Sequence, residues 1–136
     1  MLTLHGTGVS SGIAIGKAYV LHRERPEVPA YVLPKHLLGD EVQRFHAAVE
    51  AAHQQLTHIR DHIPRSAPAE IASIMDTHLL ILQDKMISEA PTELIRNRQY
   101  NAEWALRTQG DQLISVFEQM EDPYLRNRKV DVSQVV

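Results

Sequence analysis

The chain has 136 residues, of which 43% are apolar and 23% charged, with a formal net charge of −3 and no cysteine. That is one domain's length with ordinary globular composition, and its charge offers neither nucleic acid nor a membrane surface a field to bind. The absence of cysteine excludes disulfides, thiol chemistry and Cys-based zinc sites.

Residues 1–12 are rich in Gly and Ser and read as loop. They lack the basic stretch and unbroken apolar run of a leader peptide, and no apolar run approaches the length of a membrane span, so a cytoplasmic location is expected. Residues 13–22, IAIGKAYVLH, are rich in β-branched and aromatic side chains and partly alternate, which predicts a strand. A lone strand must pair with something outside this chain or with a second copy. Residues 23–34 hold Pro26, Pro29 and Pro34, which bars a helix interior and predicts an extended linker, with Pro34 able to occupy a first turn.

Beyond the linker, apolar residues fall at Leu38, Val42, Phe45, Val49, Ala52, Leu56, Ile59 and Ile63, a regular 4/3 seam that predicts a long helix. Its start lies between Lys35 and Asp40, and Pro64 ends it. Ser66 as cap and Pro68 as opening residue predict a second helix, which continues unbroken over 71–86, IASIMDTHLLILQDKM. On a helical wheel Ile71, Met75, Leu79 and Leu82 share one arc, and Glu70, Ser73, Ile74, Thr77, Ile81 and Asp84 share a second. Leu80 lies nearly opposite the first. Apolar side chains thus surround this helix, which fits either a docking face or burial on all sides.

Pro91 predicts a kink or restart. Asn101 is read as an N-cap, and Leu106, Gly110, Leu113, Phe117 and Met120 continue a 4/3 seam. Asp122 followed by Pro123 predicts a last helix running to the end of the chain, which reads as a piece cut in mid-helix. Four helical stretches joined by short Pro-marked turns predict an antiparallel bundle.

Chemistry is sparse. Gly6-Thr7-Gly8 is followed by Ser11 where a dinucleotide loop wants glycine, and Gly16-Lys17 by Ala18 where a phosphate loop wants Ser or Thr. Of the eight histidines, His58 and His62 are spaced i,i+4 and His46 and His53 lie one heptad apart. A zinc centre needs further ligands from another helix, and the other helices offer His78 alone, so these histidines read as solvated. No histidine has the Gly/Ser cradle of a phosphoacceptor. His78, at the border of the two arcs, is either a satisfied edge histidine or a docking contact. Glu118, Glu121, Asp122 and Asp131 form no acid/base pair. Trp104 reads as core, and Arg126, Arg128 and Lys129 as a solvated face. No catalytic residue and no metal ligand is expected.

Four stretches together carry a family resemblance. Residues 8–18, GVSSGIAIGKA, resemble the opening of enzyme I of the phosphoenolpyruvate-dependent sugar phosphotransferase system, a strand of the form G-x-x-x-S-x-G-I-A-x-G-K-A. Ser11 stands where that family commonly has proline. Residues 42–45, VQRF, resemble its first long helix, and 74–84, IMDTHLLILQD, its segment A-I-F-x-x-H-x-x-L-L-x-D. Residues 122–132, DPYLRNRKVDV, resemble its stretch D-x-x-Y-L-x-x-R-x-x-D-V. The matches keep their order along nearly the whole chain.

The resemblance implies an all-α four-helix bundle of two antiparallel hairpins over 35–136, preceded by a linker over 23–34 and a strand over 1–22. In the family that strand belongs to a phosphohistidine swivel domain. The bundle docks the phosphocarrier protein HPr. The phosphorylated histidine and the phosphoenolpyruvate and magnesium site lie further along the parent enzyme, so this piece is not expected to catalyse by itself. Carried over by position, the docking face comprises Glu70, Ile74, His78, Leu80, Ile81 and Asp84, with Arg128 from the last helix. Most of these belong to the second arc. Ala69, Lys85 and Met86 stand where the family usually has carboxylates, which weakens steering of a basic partner. That opens one alternative, a nitrogen-branch paralogue with a diverged HPr; the free strand and the apolar arc open another, a non-catalytic bundle that self-associates. The self-associating form would be a homodimer through the unpaired strand or the apolar helix face.

Overall fold

A computed structural model describes residues 5–8, 11–13, 15–17 and 27–136. Most of the strand expected over 13–22 lies outside the described residues. Those of its residues that are described form no strand, and Ile13 and Ile15 are fully exposed.

Residues 27–34 are extended but do more than link. Val32 forms an antiparallel bridge with Tyr100. The Leu33 N–H donates to the Gln99 carbonyl at 2.7 Å, and the Gln99 side-chain amide donates to the Leu33 carbonyl at 2.8 Å. Leu33 itself is buried in the core. The prolines that forbid helix here thus leave backbone groups free to pair with the turn around Gln99.

A 3-10 turn, Lys35–Leu37, leads into α1, Leu38–Asp61. The seam is as expected, with an uneven burden: Val42 and Phe45 are buried, whereas Ile59 is 53% exposed. After a turn at 62–68, α2 spans Ala69–Gln83. Its N-cap is Pro68, with no side-chain cap, so Ser66 does not take the expected role. Arg60 Nε donates to Asp76 Oδ1 at 2.9 Å, and the Gln83 amide nitrogen lies 2.7 Å from His53 Nε2. The two ties run in opposite directions along the helices, which makes α1 and α2 an antiparallel hairpin.

The helix expected to continue unbroken over 71–86 stops at Asp84. That residue adopts extended backbone, φ −65° and ψ 135°, and its side chain accepts the Met86 N–H. A short carboxylate that can cap its own following turn competes with helix continuation. A single-turn α3, Lys85–Ser88, follows and buries Ile87. Pro91 then sits in the first turn of α4, Ala90–Arg98, the expected restart. The last stretch is also divided, into α6, Pro123–Asn127, and α7, Lys129–Val135, after α5, Ala102–Glu118. Asp122 caps α6 as expected, accepting from the Tyr124 and Leu125 N–H groups.

The main core gathers Leu33, Val42, Phe45, Ile95, Ala102 and Ala105 from the extended segment, α1, α4 and α5. α7 packs on both α5 and α2. Its approach to α5 is close at Gly110, where an added Cβ would lie 2.6 Å from a Val136 methyl. Trp104, expected in the core, is half-buried and stacks on Tyr100 with centroids 3.6 Å apart. Among the described residues no helix is long and apolar enough to cross a membrane.

Candidate functional site

α2 buries Leu82 and half-buries Met75, Leu79 and Ile81 against its neighbours. Side chains pointing the other way stay in solvent. Leu80 is 69% exposed and Ile74 48% exposed, so burial of this helix on all sides is excluded. Glu70 and Asp84 are exposed at the two ends of the same helix. The result is an apolar strip with a carboxylate at each end, on a helix fastened to α1 by the Arg60–Asp76 ion pair. Thr77 adds a hydroxyl that donates to the Ser73 carbonyl at 2.9 Å, so its polar group is spent inside the helix.

Asp84 differs from what the wheel implies. Its Oδ1 holds the Met86 N–H at 2.8 Å, and its backbone turns the chain into α3. Its first effect is geometric. The turn leaves Lys85 and Met86 exposed just past the end of α2.

His78 is half-buried, and its Nε2 is buried with no hydrogen-bond partner among the described residues. It is therefore not the satisfied edge histidine that one reading expected. An unpaired buried nitrogen is costly, of order 1–3 kcal/mol.

Arg128 stands at the N-cap of α7, on a helix that packs against α2. Its guanidinium donates to Asp131 at 3.0 Å and to the Tyr124 hydroxyl, and its carbon sits 4.9 Å from the centroid of the Tyr124 ring. The Asp131 bond, then the Tyr124 bond, hold its pKa above the usual arginine value. Among the described residues no hydrogen bond joins Arg128 to the α2 side chains, so it is a preoriented cation and not part of a network with them. Tyr124 and Leu125 are exposed on α6.

Sequence reasoning missed one cluster completely. Arg44 reaches Glu41 at 2.6 Å and Glu103 at 2.7 Å, while Glu41 Oε1 accepts the Ala102 N–H at 2.7 Å. Asn101, correctly placed at the N-cap of α5, makes no cap bond; its Oδ1 accepts from the Tyr31 N–H and its amide donates to Glu103. Bonding to Arg44 holds Glu103 at a pKa of about 2 and also lowers that of Glu41. This cluster fixes α1 to the start of α5. It is exposed on one side, and Glu103 also lines a cavity of about 300 Å³ with Leu106, Arg107 and Val136.

A family model described as PEP-utilising enzyme, N-terminal, matches residues 5–128. A phosphoenolpyruvate-protein phosphotransferase from Cupriavidus necator is 43% identical over 133 residues, covering 98% of this chain and 23% of the relative. The protein of the same name from Bacillus subtilis is 33% identical over 138 residues, covering 99% of this chain and again 23% of the relative. The chain therefore spans about a quarter of the length of these relatives. A solution NMR structure of an Enzyme I protein superposes with a TM-score of 0.74 at 24% identity, over 82% of this chain and 45% of that one, and supports the fold alone.

Proposed function

The chain belongs to the family of PEP-utilising enzymes, as part of their N-terminal region, and from that premise we propose that the exposed face of α2 is the surface on which a phosphoenolpyruvate-protein phosphotransferase receives HPr, its phosphocarrier. In this reading the parent enzyme passes a phosphoryl group from phosphoenolpyruvate, through a histidine of another domain, to the docked carrier in sugar transport. The present residues supply affinity and orientation. The observation that carries the reading is Leu80, a large apolar side chain left 69% exposed in the last turn of a well-fastened helix. Leu80, Ile74 and Ile81 form the apolar centre, Glu70 and Asp84 the acidic rim, and Arg128 an oriented cation.

Magnesium is what the resemblance implies for the parent enzyme.

The test is calorimetric titration of HPr into this chain and its variants. Leu80→Ala and Ile81→Ala are each expected to cost ~1–3 kcal/mol of binding, with unchanged circular dichroism for Leu80→Ala. Unchanged affinity in both variants sinks the assignment. The thinned acidic rim around Lys85 and Met86 favours a second partner, a diverged HPr of the nitrogen branch, which the same titration separates by which carrier binds more tightly.

A further inference from the structure

The second half of α1 carries histidines that docking does not use. His58 and His62 lie one helical turn apart, both exposed, with ring centroids 4.0 Å apart and planes inclined by 38°. With His53, Thr57 and Asp61 they border a shallow depression of about 340 Å³. His62 Nδ1 lies 2.7 Å from the His58 carbonyl oxygen. A carbonyl can only accept, so in the neutral ring Nδ1 bears the proton and Nε2 keeps its lone pair. A carbonyl on the second ring nitrogen is what orients metal-binding imidazoles and raises their basicity. The i,i+4 spacing is the one by which a helix presents two imidazoles to a single ion, here with His58 in the last turn of α1 and His62 as its C-cap.

We propose that His58 and His62 form a surface chelate for a divalent transition-metal ion of the zinc, nickel or copper class. Two protein nitrogens hold the ion and water completes its coordination; the Asp61 carboxylate, paired with Arg60 at 3.2 Å, lies on the same rim. Arg60 also pairs with Asp76, so its positive charge is largely offset where the cation would sit. Imidazole suits these ions, whereas magnesium and calcium prefer oxygen ligands. Bound metal would clip the last turn of α1, just before the chain turns into α2.

The test adds zinc chloride, and separately nickel and magnesium chloride, to the 136-residue chain. Uptake is followed by calorimetry and by NMR of the histidine rings. One zinc or nickel ion per chain is expected, with shifts at the His58 and His62 rings and none with magnesium. Either His58→Ala or His62→Ala should weaken uptake about a hundredfold, the loss of a chelate's effective concentration. His46→Ala should leave it intact. Circular dichroism checks that these exposed substitutions leave the fold in place. No saturable uptake at millimolar zinc, or uptake that survives both alanine variants, overturns the proposal.

Discussion

At Arg44 one guanidinium holds two carboxylates, and one of those, Glu41, also accepts the first N–H of α5. Helix starts leave N–H groups without partners, and the usual remedy is a side chain at the N-cap itself. Here the remedy comes from 61 residues earlier in the chain, while Asn101 is left to hold Tyr31. Glu41→Ala should therefore cost ~1–3 kcal/mol, because it frees a buried N–H as well as the arginine, and thermal unfolding measures it. The pH response has a definite sign. Glu103 has its folded pKa depressed from 4.5 to about 2 by bonding to Arg44, so its contribution is present above pH 4.5 and fades as pH falls towards 2. Glu41 is shifted the same way. The stability difference between the native chain and Glu103→Gln should shrink across that window; a difference that stays constant would refute the pairing.

Among the elements, the ends and breaks decide most. The break at Asp84 gives α3 its own direction and sets where Met86 and Lys85 stand past the end of α2. Asp84→Asn keeps an acceptor for the Met86 N–H, while Asp84→Ala removes it and should cost ~0.5–2 kcal/mol of stability. If Asp84 acts through geometry, Asn should preserve carrier binding and Ala reduce it; if through charge, both should weaken it alike. α7 depends on Gly110 in the same positional sense. A leucine there would meet Val136 at once, and Gly110→Leu should destabilise by ~1–3 kcal/mol through overpacking, seen as lost amide-exchange protection along α7. Local signals of this kind divide sharply in how readable they are. The α1 seam, the Pro91 restart and the Asp122-Pro123 opening are legible because period and cap chemistry act within a few residues. The Asp84 break is not, because no Gly or Pro marks it, and neither is the cap from Glu41, which depends on how α1 meets α5.

For the whole molecule, the hairpin of α1 and α2 presents one side to the core and leaves α2's other side open, with α7 closing the gap towards α5. The wheel separated Leu82 from Leu80 and Ile74, but it grouped Ile71 with Leu82 although Ile71 is 43% exposed, and Ile81 with Ile74 although Ile81 is half-buried. How far Arg128 is engaged by Tyr124 and Asp131 was not readable, because that depends on the α6–α7 bend. The central claim is that this open side is where a carrier protein docks. The most direct measurement is an NMR titration of the isotope-labelled 136-residue chain with HPr at moderate salt. Shifts concentrated on Glu70, Ile74, His78, Leu80, Ile81 and Asp84, and on Arg128, are the predicted result. Shifts centred on the Arg44 cluster, or none at large excess of HPr and of its nitrogen-branch counterpart, would contradict it.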